Sequence, residues 1–431
     1  MFLFFCVWAG LIGLYSVLVR FRNLSSVWFW LIVWWSLVFG VTLATDASWI
    51  HKPSIISFGY LLLCFLMFYV GNRVGERTKV ELPKEPDRIV NPRQLHIYKY
   101  IAYLGLAMFV LDYYRINGFT YTSRTYEISA IGAFGNLMIP ALLPIGLYEV
   151  GYGIKEQRKV RFGGVFALFC YALPGIISHG REAIVFVVIS CLSLVSMCLK
   201  QSKETFHIPP KYKKFIVVIL FFVVVVVYFV LQKTRIRFTA NDISTFVYYH
   251  PLPSESRREV EQWGEFAFLY YAIAWYFGTQ LPYLEFILKR YRGPYVLGAY
   301  EFNIISRRLP MSWGLNTEAV SSAQRQLFAQ YGESFSALWP GFPGSLIFDY
   351  GRIGTLVVIC VLGVFVGKIT KKCRLKQSLQ YQVAVSLLCM MMFTTIQMGP
   401  LFQYNVWSTM IWWMIMLGDK RIRIVFNGRD I

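Results

Sequence analysis

Arginine dominates the charge of one stretch of the sequence, residues 233–343, where eleven basic side chains include nine arginines and only two lysines, Lys233 and Lys289. A guanidinium stays protonated at any physiological pH, and its planar fork binds phosphate oxygens bidentately, so this concentration suits a phosphorylated ligand. The plainer reading is electrostatic housekeeping. Nine acidic residues share the stretch, Glu255, Glu259, Glu261 and Glu265 among them, and anionic headgroups attract exposed arginines in the same way.

Two short clusters carry further chemistry. In Ser178-His179-Gly180-Arg181-Glu182, a small-residue turn sits between two apolar runs, and the second run begins at Glu182. The free N–H groups and positive dipole end of a helix starting there, together with Arg181, would form an anion site at a membrane surface. The alternative for Arg181 is snorkelling that sets the depth of its helix. Further on, Gly332-Glu333-Ser334 precedes the Gly/Pro-rich Trp339–Gly344, which leads into Phe348-Asp349-Tyr350-Gly351-Arg352. Asp349 and Arg352 are three apart, so on a continuous helix they share a face and either form a local salt bridge or pair a general base with a phosphate-neutralising arginine.

Several chemistries are absent from the sequence. No phosphate loop of the GxxxxGK[ST] type, no GxGxxG after a strand, no HExxH and no DxD pair occurs, which argues against nucleotide hydrolysis and a metal-held nucleotide donor. No cofactor motif and no metal-ligand spacing is present. The eight cysteines lie outside the long Arg-rich stretch, so no disulfide is expected there.

The elements that must position these residues are apolar. Of 431 residues, 56% are hydrophobic and 15% charged, outside the usual range for soluble domains. Apolar runs near 1–19, 27–45, 54–72, 97–114, 131–152, 162–178, 182–199, 215–232, 344–367, 381–398 and 401–418 predict about eleven transmembrane helices, each near the length that spans a hydrocarbon core. Residues 1–20 lack a basic leading segment and a small-residue cleavage site and read as a retained helix. Asp112, Arg115 and Glu149 fall near helix ends, and scarcity of charge at mid-depth argues against an ion-coupled carrier.

Charge also sets the orientation. The net charge of +20 resides mainly in short connections. Of the 43 Lys and Arg, 27 fall in one alternating set (Arg20–Arg22, Arg73–Lys99, Lys155–Arg161, Lys200–Lys214, Lys368–Lys376 and the tail), whereas the opposite short loops hold only Lys52, Arg115, Arg124 and Arg181. Positive residues favour the cytoplasm, so topology accounts for the basicity without nucleic acid, and the N-terminus lies outside with the C-terminus inside. The chain divides into helices one to eight over 1–232, a large outer loop over 233–343, and the last three helices with the tail over 344–431. Residues 266–288 are apolar, but counting them as a span would turn two basic segments outward, so they read as an interfacial amphipathic helix.

Many spans, one long outer loop late in the chain, Arg181 in a small-residue turn, and the loop exit Phe348-Asp349-Tyr350-Gly351-Arg352-Ile353-Gly354 together resemble the bacterial oligosaccharide repeat-unit polymerases, the Wzy-type O-antigen polymerases. The motif part of the resemblance covers about 15 residues; the paired Arg-x10-Gly loop signatures of some members are not reproduced, although Arg124 and Gly135 have that spacing. The resemblance implies an all-α, GT-C-like polytopic fold in the bacterial inner membrane. It also implies inverting glycosyl transfer on the periplasmic face, using undecaprenyl-pyrophosphate-linked oligosaccharides as donor and acceptor, without cofactor or metal. Membrane lipids and a chain-length regulator protein are the implied partners. On this reading Arg181, Arg290, Arg292, Arg325 and Arg352 are expected to hold pyrophosphate, and Glu333, Asp349 or His250 to assist the acceptor hydroxyl. The histidine that related O-antigen ligases carry where the loop re-enters the membrane is replaced by the Glu333-Ser334 neighbourhood, which favours polymerase over ligase. The reading from another class, a flippase for the same lipid-linked oligosaccharide, predicts a polar cavity and two pseudo-symmetric halves, neither of which is visible in the sequence.

Overall fold

The structure, a computed structural model, describes residues 26–44, 53–79, 92–118, 129–155, 162–177, 182–200, 280–301, 341–397, 399 and 403–418, together with the isolated residues 262, 277, 278, 322, 323, 325 and 326. Regular structure among the described residues is helical, with no strand. The helices are α1 (Val27–Ala44), α2 (Ile55–Arg77), α3 (Pro92–Asn117), α4 (Ala130–Met138), α5 (Leu142–Lys155), α6 (Phe162–Ile177), α7 (Glu182–Lys200), α8 (Gln280–Arg290), α9 (Gly341–Lys376), α10 (Leu379–Thr394) and α11 (Tyr404–Gly418). Among the described residues, four stretches are long and apolar enough to cross a membrane: α2, the Gln94–Ile116 part of α3, α4 continued into α5, and α9. The runs expected at 1–19 and 215–232 lie outside the described residues, as does nearly all of the interfacial segment before Gln280.

The chain packs as two compact units. The first contains α1, α2, α8, α9 as far as Lys371, and residues 391–403. Two glycine pairs of spacing four, Gly71 and Gly75 on α2 and Gly363 and Gly367 on α9, let these helices touch backbone to backbone. A methyl group at Gly71 would lie 2.0 Å from the Cys360 carbonyl oxygen, and one at Gly363 2.4 Å from that of Phe68. Small residues do this work in membranes, where apolar burial gives helices little drive to associate and close dispersion contact must supply it. The opposite face of α9 is exposed and apolar at four-residue spacing: Ile353 (80%), Val357 (56%), Val361 (61%) and Phe365 (49%). Water would penalise such a stripe, whereas lipid tails solvate it. On α1, Trp28 meets Phe68 edge-on at 5.1 Å, and the Trp35 indole N–H donates to Thr395 Oγ1 at 3.1 Å.

The second unit contains α3 to α7, α11 and residues 372–390. α3 and α4 cross at another glycine pair, where a methyl on Gly135 would fall 2.4 Å from the Gly105 carbonyl oxygen. Ser129 caps α4 through the Ile131 N–H, and Asp112 in turn accepts from the Ser129 N–H at 2.8 Å and its hydroxyl at 2.6 Å. Pro140 interrupts the run from α4 to α5 as a 3-10 turn, Ile139–Ala141. Carbonyls beside the interruption accept from α11: Trp412 Nε1 reaches Leu137 O at 2.8 Å and Thr409 Oγ1 reaches Pro140 O at 3.5 Å. Lys99 and Glu149 form a largely buried ion pair at 2.8 Å, which neutralises the two charges these helices would otherwise carry into an apolar interior.

Candidate functional site

The first unit draws four of the expected site residues around one backbone irregularity. α9 begins at Gly341, whose N–H donates to Gln397 O at 2.9 Å while the Phe342 N–H donates to Thr395 O at 2.8 Å; Ser345 Oγ accepts from the Gly399 N–H at 2.9 Å. Ten residues on, the helix breaks at Gly351 (φ 69°, ψ −178°), a conformation essentially confined to glycine. α9 is therefore two helices joined end to end, with Asp349 closing the first and Arg352 opening the second.

This corrects the expectation that Asp349 and Arg352 share a helix face as a pair. Each is taken up by a different stretch of main chain. The Asp349 side chain is fully buried, and its two oxygens accept from the Tyr300 and Glu301 N–H groups, both at 2.9 Å, with the Gly298 N–H joining them. Its own carbonyl accepts from the Leu297 N–H at 3.0 Å. Leu297 (φ 46°) and Gly298 (φ 98°) adopt left-handed conformations, and the turn they make gathers the Gly298, Tyr300 and Glu301 N–H groups into a nest that the carboxylate fills, while the Ala299 N–H turns away to Val296 O at 2.9 Å. Arg352 donates to the Leu288 carbonyl in the last turn of α8 and, at 3.5 Å, to the Tyr291 carbonyl just beyond it. Its main-chain carbonyl accepts from the Tyr60 hydroxyl at 2.7 Å.

Residues 288–301 are thereby pinned at both ends, and the Tyr291 side chain adds a further hold near the first of them. This tyrosine is buried, stacks edge-on against Phe348 at 4.8 Å and Tyr295 at 5.8 Å, and donates its hydroxyl to Pro294 O. Burial raises its phenol pKa above the ordinary value, and the negative charge of Asp349 adds to the effect. Arg290 and Arg292, on either side of Tyr291, are both exposed; Arg292 Nη1 donates to Tyr291 O at 3.0 Å. Arg325 is exposed as well. Arg181, His250 and Glu333 lie outside the described residues.

Two carboxylates that the sequence reading passed over help to build this region. Glu301 is buried against Gly399 so closely that a methyl group there would lie 1.8 Å from a Glu301 carboxylate oxygen. Glu285 on α8 accepts from the Ser54 N–H, from Ser57 Oγ at 3.4 Å and from Lys289, and so ties α8 to the N-terminus of α2. Burial pushes its carboxyl pKa up, but the Lys289 ammonium and the Ser54 donors outweigh it and leave the value below normal. The only sequence signal for either residue was an acid inside an apolar run, Gln280–Leu288 or Val296–Phe302.

A cavity between α1, α2 and the start of α9, lined by Leu31, Trp35, Leu61, Phe68, Phe342 and neighbours, has about 30 Å³ of accessible space. That holds a water molecule and excludes a sugar ring. Among the described residues no three His, Cys, Asp or Glu side chains converge as metal ligands. Among the described residues the architecture is all-helical, with helices long and apolar enough to cross a membrane, and the region around Gly351 presents cations on an internally braced segment. No protein-family model, curated protein or solved structure matches the chain.

Proposed function

We propose that the protein polymerises undecaprenyl-pyrophosphate-linked oligosaccharide repeat units into surface polysaccharide, by inverting, metal-independent glycosyl transfer at the periplasmic face of the bacterial inner membrane. The observation that carries this reading is the exposed pair Arg290 and Arg292, set on either side of buried Tyr291 and braced against a helix whose other face suits lipid. Two guanidiniums at the edge of a membrane helix match the two phosphates of a lipid-borne leaving group. The acceptor hydroxyl oxygen attacks the anomeric carbon of the donor, the bond from that carbon to the pyrophosphate oxygen breaks, and undecaprenyl pyrophosphate leaves with the electron pair. The hydroxyl proton passes to a side-chain base. Asp349 would have to release its main-chain N–H donors to serve, which leaves Glu333 and His250 as the better candidates. Arg181 and Arg325 are the other arginines expected to contact phosphate.

Replacement of Arg181 by Ala tests the reading. Loss of one donor aimed at developing charge typically costs about 100-fold in rate, so long polysaccharide chains should vanish while the variant remains in the membrane fraction. Single repeat units should still reach the surface, which separates polymerisation from transport, where they too would be lost. Long chains of unchanged length and amount would overturn the role of Arg181.

A further inference from the structure

The geometry points to Asp349 and Arg352 as positioning residues that hold the two ends of residues 288–301 across the break at Gly351, so that Arg290 and Arg292 meet a phosphate-bearing ligand as a fixed pair. The inference rests on the phosphate-binding reading of the arginines and adds what makes them effective. Neither Asp349 nor Arg352 is free to meet a ligand as it stands: the carboxylate fills the nest at 298–301, and the guanidinium caps the C-terminal carbonyls of α8. Between these anchors lies the segment carrying both exposed arginines, with Tyr291 held inward by Phe348, one residue from Asp349.

The glycine between the anchors is what lets them diverge. On an unbroken helix, side chains three apart would compete for the same neighbours. At Gly351 the chain turns through a conformation that a side chain would disfavour, and Asp349 faces one main-chain stretch while Arg352 faces another. Pre-ordering of this kind acts on binding: a long arginine side chain on a loose loop must be ordered when it meets its ligand, whereas one on a braced segment has met most of that cost on folding.

Two arms of one experiment separate this proposal from the reading beneath it. In the purified full-length protein, the Tyr300 and Glu301 amides should exchange slowly with deuterium, and Asp349→Asn should accelerate both by about tenfold or more, since one charged acceptor is lost. Unchanged exchange overturns the brace. The second arm measures inorganic pyrophosphate affinity in a double-mutant cycle of Asp349→Asn with Arg292→Ala. Asp349→Asn is expected to weaken binding about tenfold, and Arg292→Ala to cost much less in that background than in the wild type. Equal cost in both backgrounds overturns the positioning role, because a merely structural residue leaves the arginine's contribution intact. If Asp349→Asn does not fold, Arg352→Gln, which removes the α8 cap at a half-exposed position, replaces it in the cycle with the same expectation. Failure of the wild type to bind pyrophosphate overturns the phosphate reading and the purpose given to the brace, while released Tyr300 and Glu301 amides would still support the brace itself.

Discussion

Glu285 shows how a single carboxylate can join distant parts of the chain. It receives the Ser54 N–H at the start of α2 while pairing with Lys289 one turn along its own helix. Glu285→Gln keeps the shape but removes the charge that both partners favour, and should lower stability by about 1–2 kcal/mol, read as a lower midpoint in thermal unfolding of the purified protein. The pH dependence has a definite sign. The folded-state pKa of Glu285 is depressed, so its contribution is full above the unfolded value of about 4.3 and is lost as pH falls through the folded value. The gap between wild type and Glu285→Gln should therefore close in acid. A constant gap down to the lowest pH at which the protein stays folded would show that the charge does not matter. None of this was legible in the sequence, because Ser54 and Glu285 are 231 positions apart and only the fold brings them together.

At the scale of elements, uninterrupted apolar stretches foretold the described helices closely: the runs at 54–72 and 131–152 became Ile55–Arg77 and Ala130–Lys155. Length and hydropathy suffice there, because a lipid-exposed backbone has little choice but to close its own hydrogen bonds. The break at Gly351 was not foreseen: Phe348–Gly354 carries two glycines, but a glycine inside an apolar run is also compatible with an unbroken membrane helix, and the partners at 288–301 that accompany the irregular conformation are distant in sequence. The glycine pairs went unread for a related reason: a glycine at a crossing and a glycine facing lipid look alike until the partner helix is known. α2 contains both kinds. Gly71 abuts the Cys360 carbonyl, and Gly59 has open space around it. Gly71→Leu should abolish accumulation of folded protein in the membrane, while Gly59→Leu should leave it near wild type, as read by fluorescence size-exclusion of solubilised membranes. Equal accumulation of both would mean that the α2–α9 contact is not needed.

For the whole molecule, a chain dominated by helices solvated by lipid has few places where water-borne chemistry can occur, and the sequence marked residues 233–343 as the main one. It marked the region's charge as well, since arginine over lysine is visible without any structure. That Arg290 and Arg292 are braced was not visible: the bracing comes through Tyr291, Asp349 and Arg352, contacts that no local pattern announces. The measurement closest to the central claim is the surface polysaccharide made by cells whose only copy carries Arg290→Ala and Arg292→Ala together, with membrane levels of the protein matched to wild type. Loss of long chains with single repeat units still displayed is the expected result. A full-length ladder of undiminished intensity would contradict the assignment of this segment to the leaving pyrophosphate.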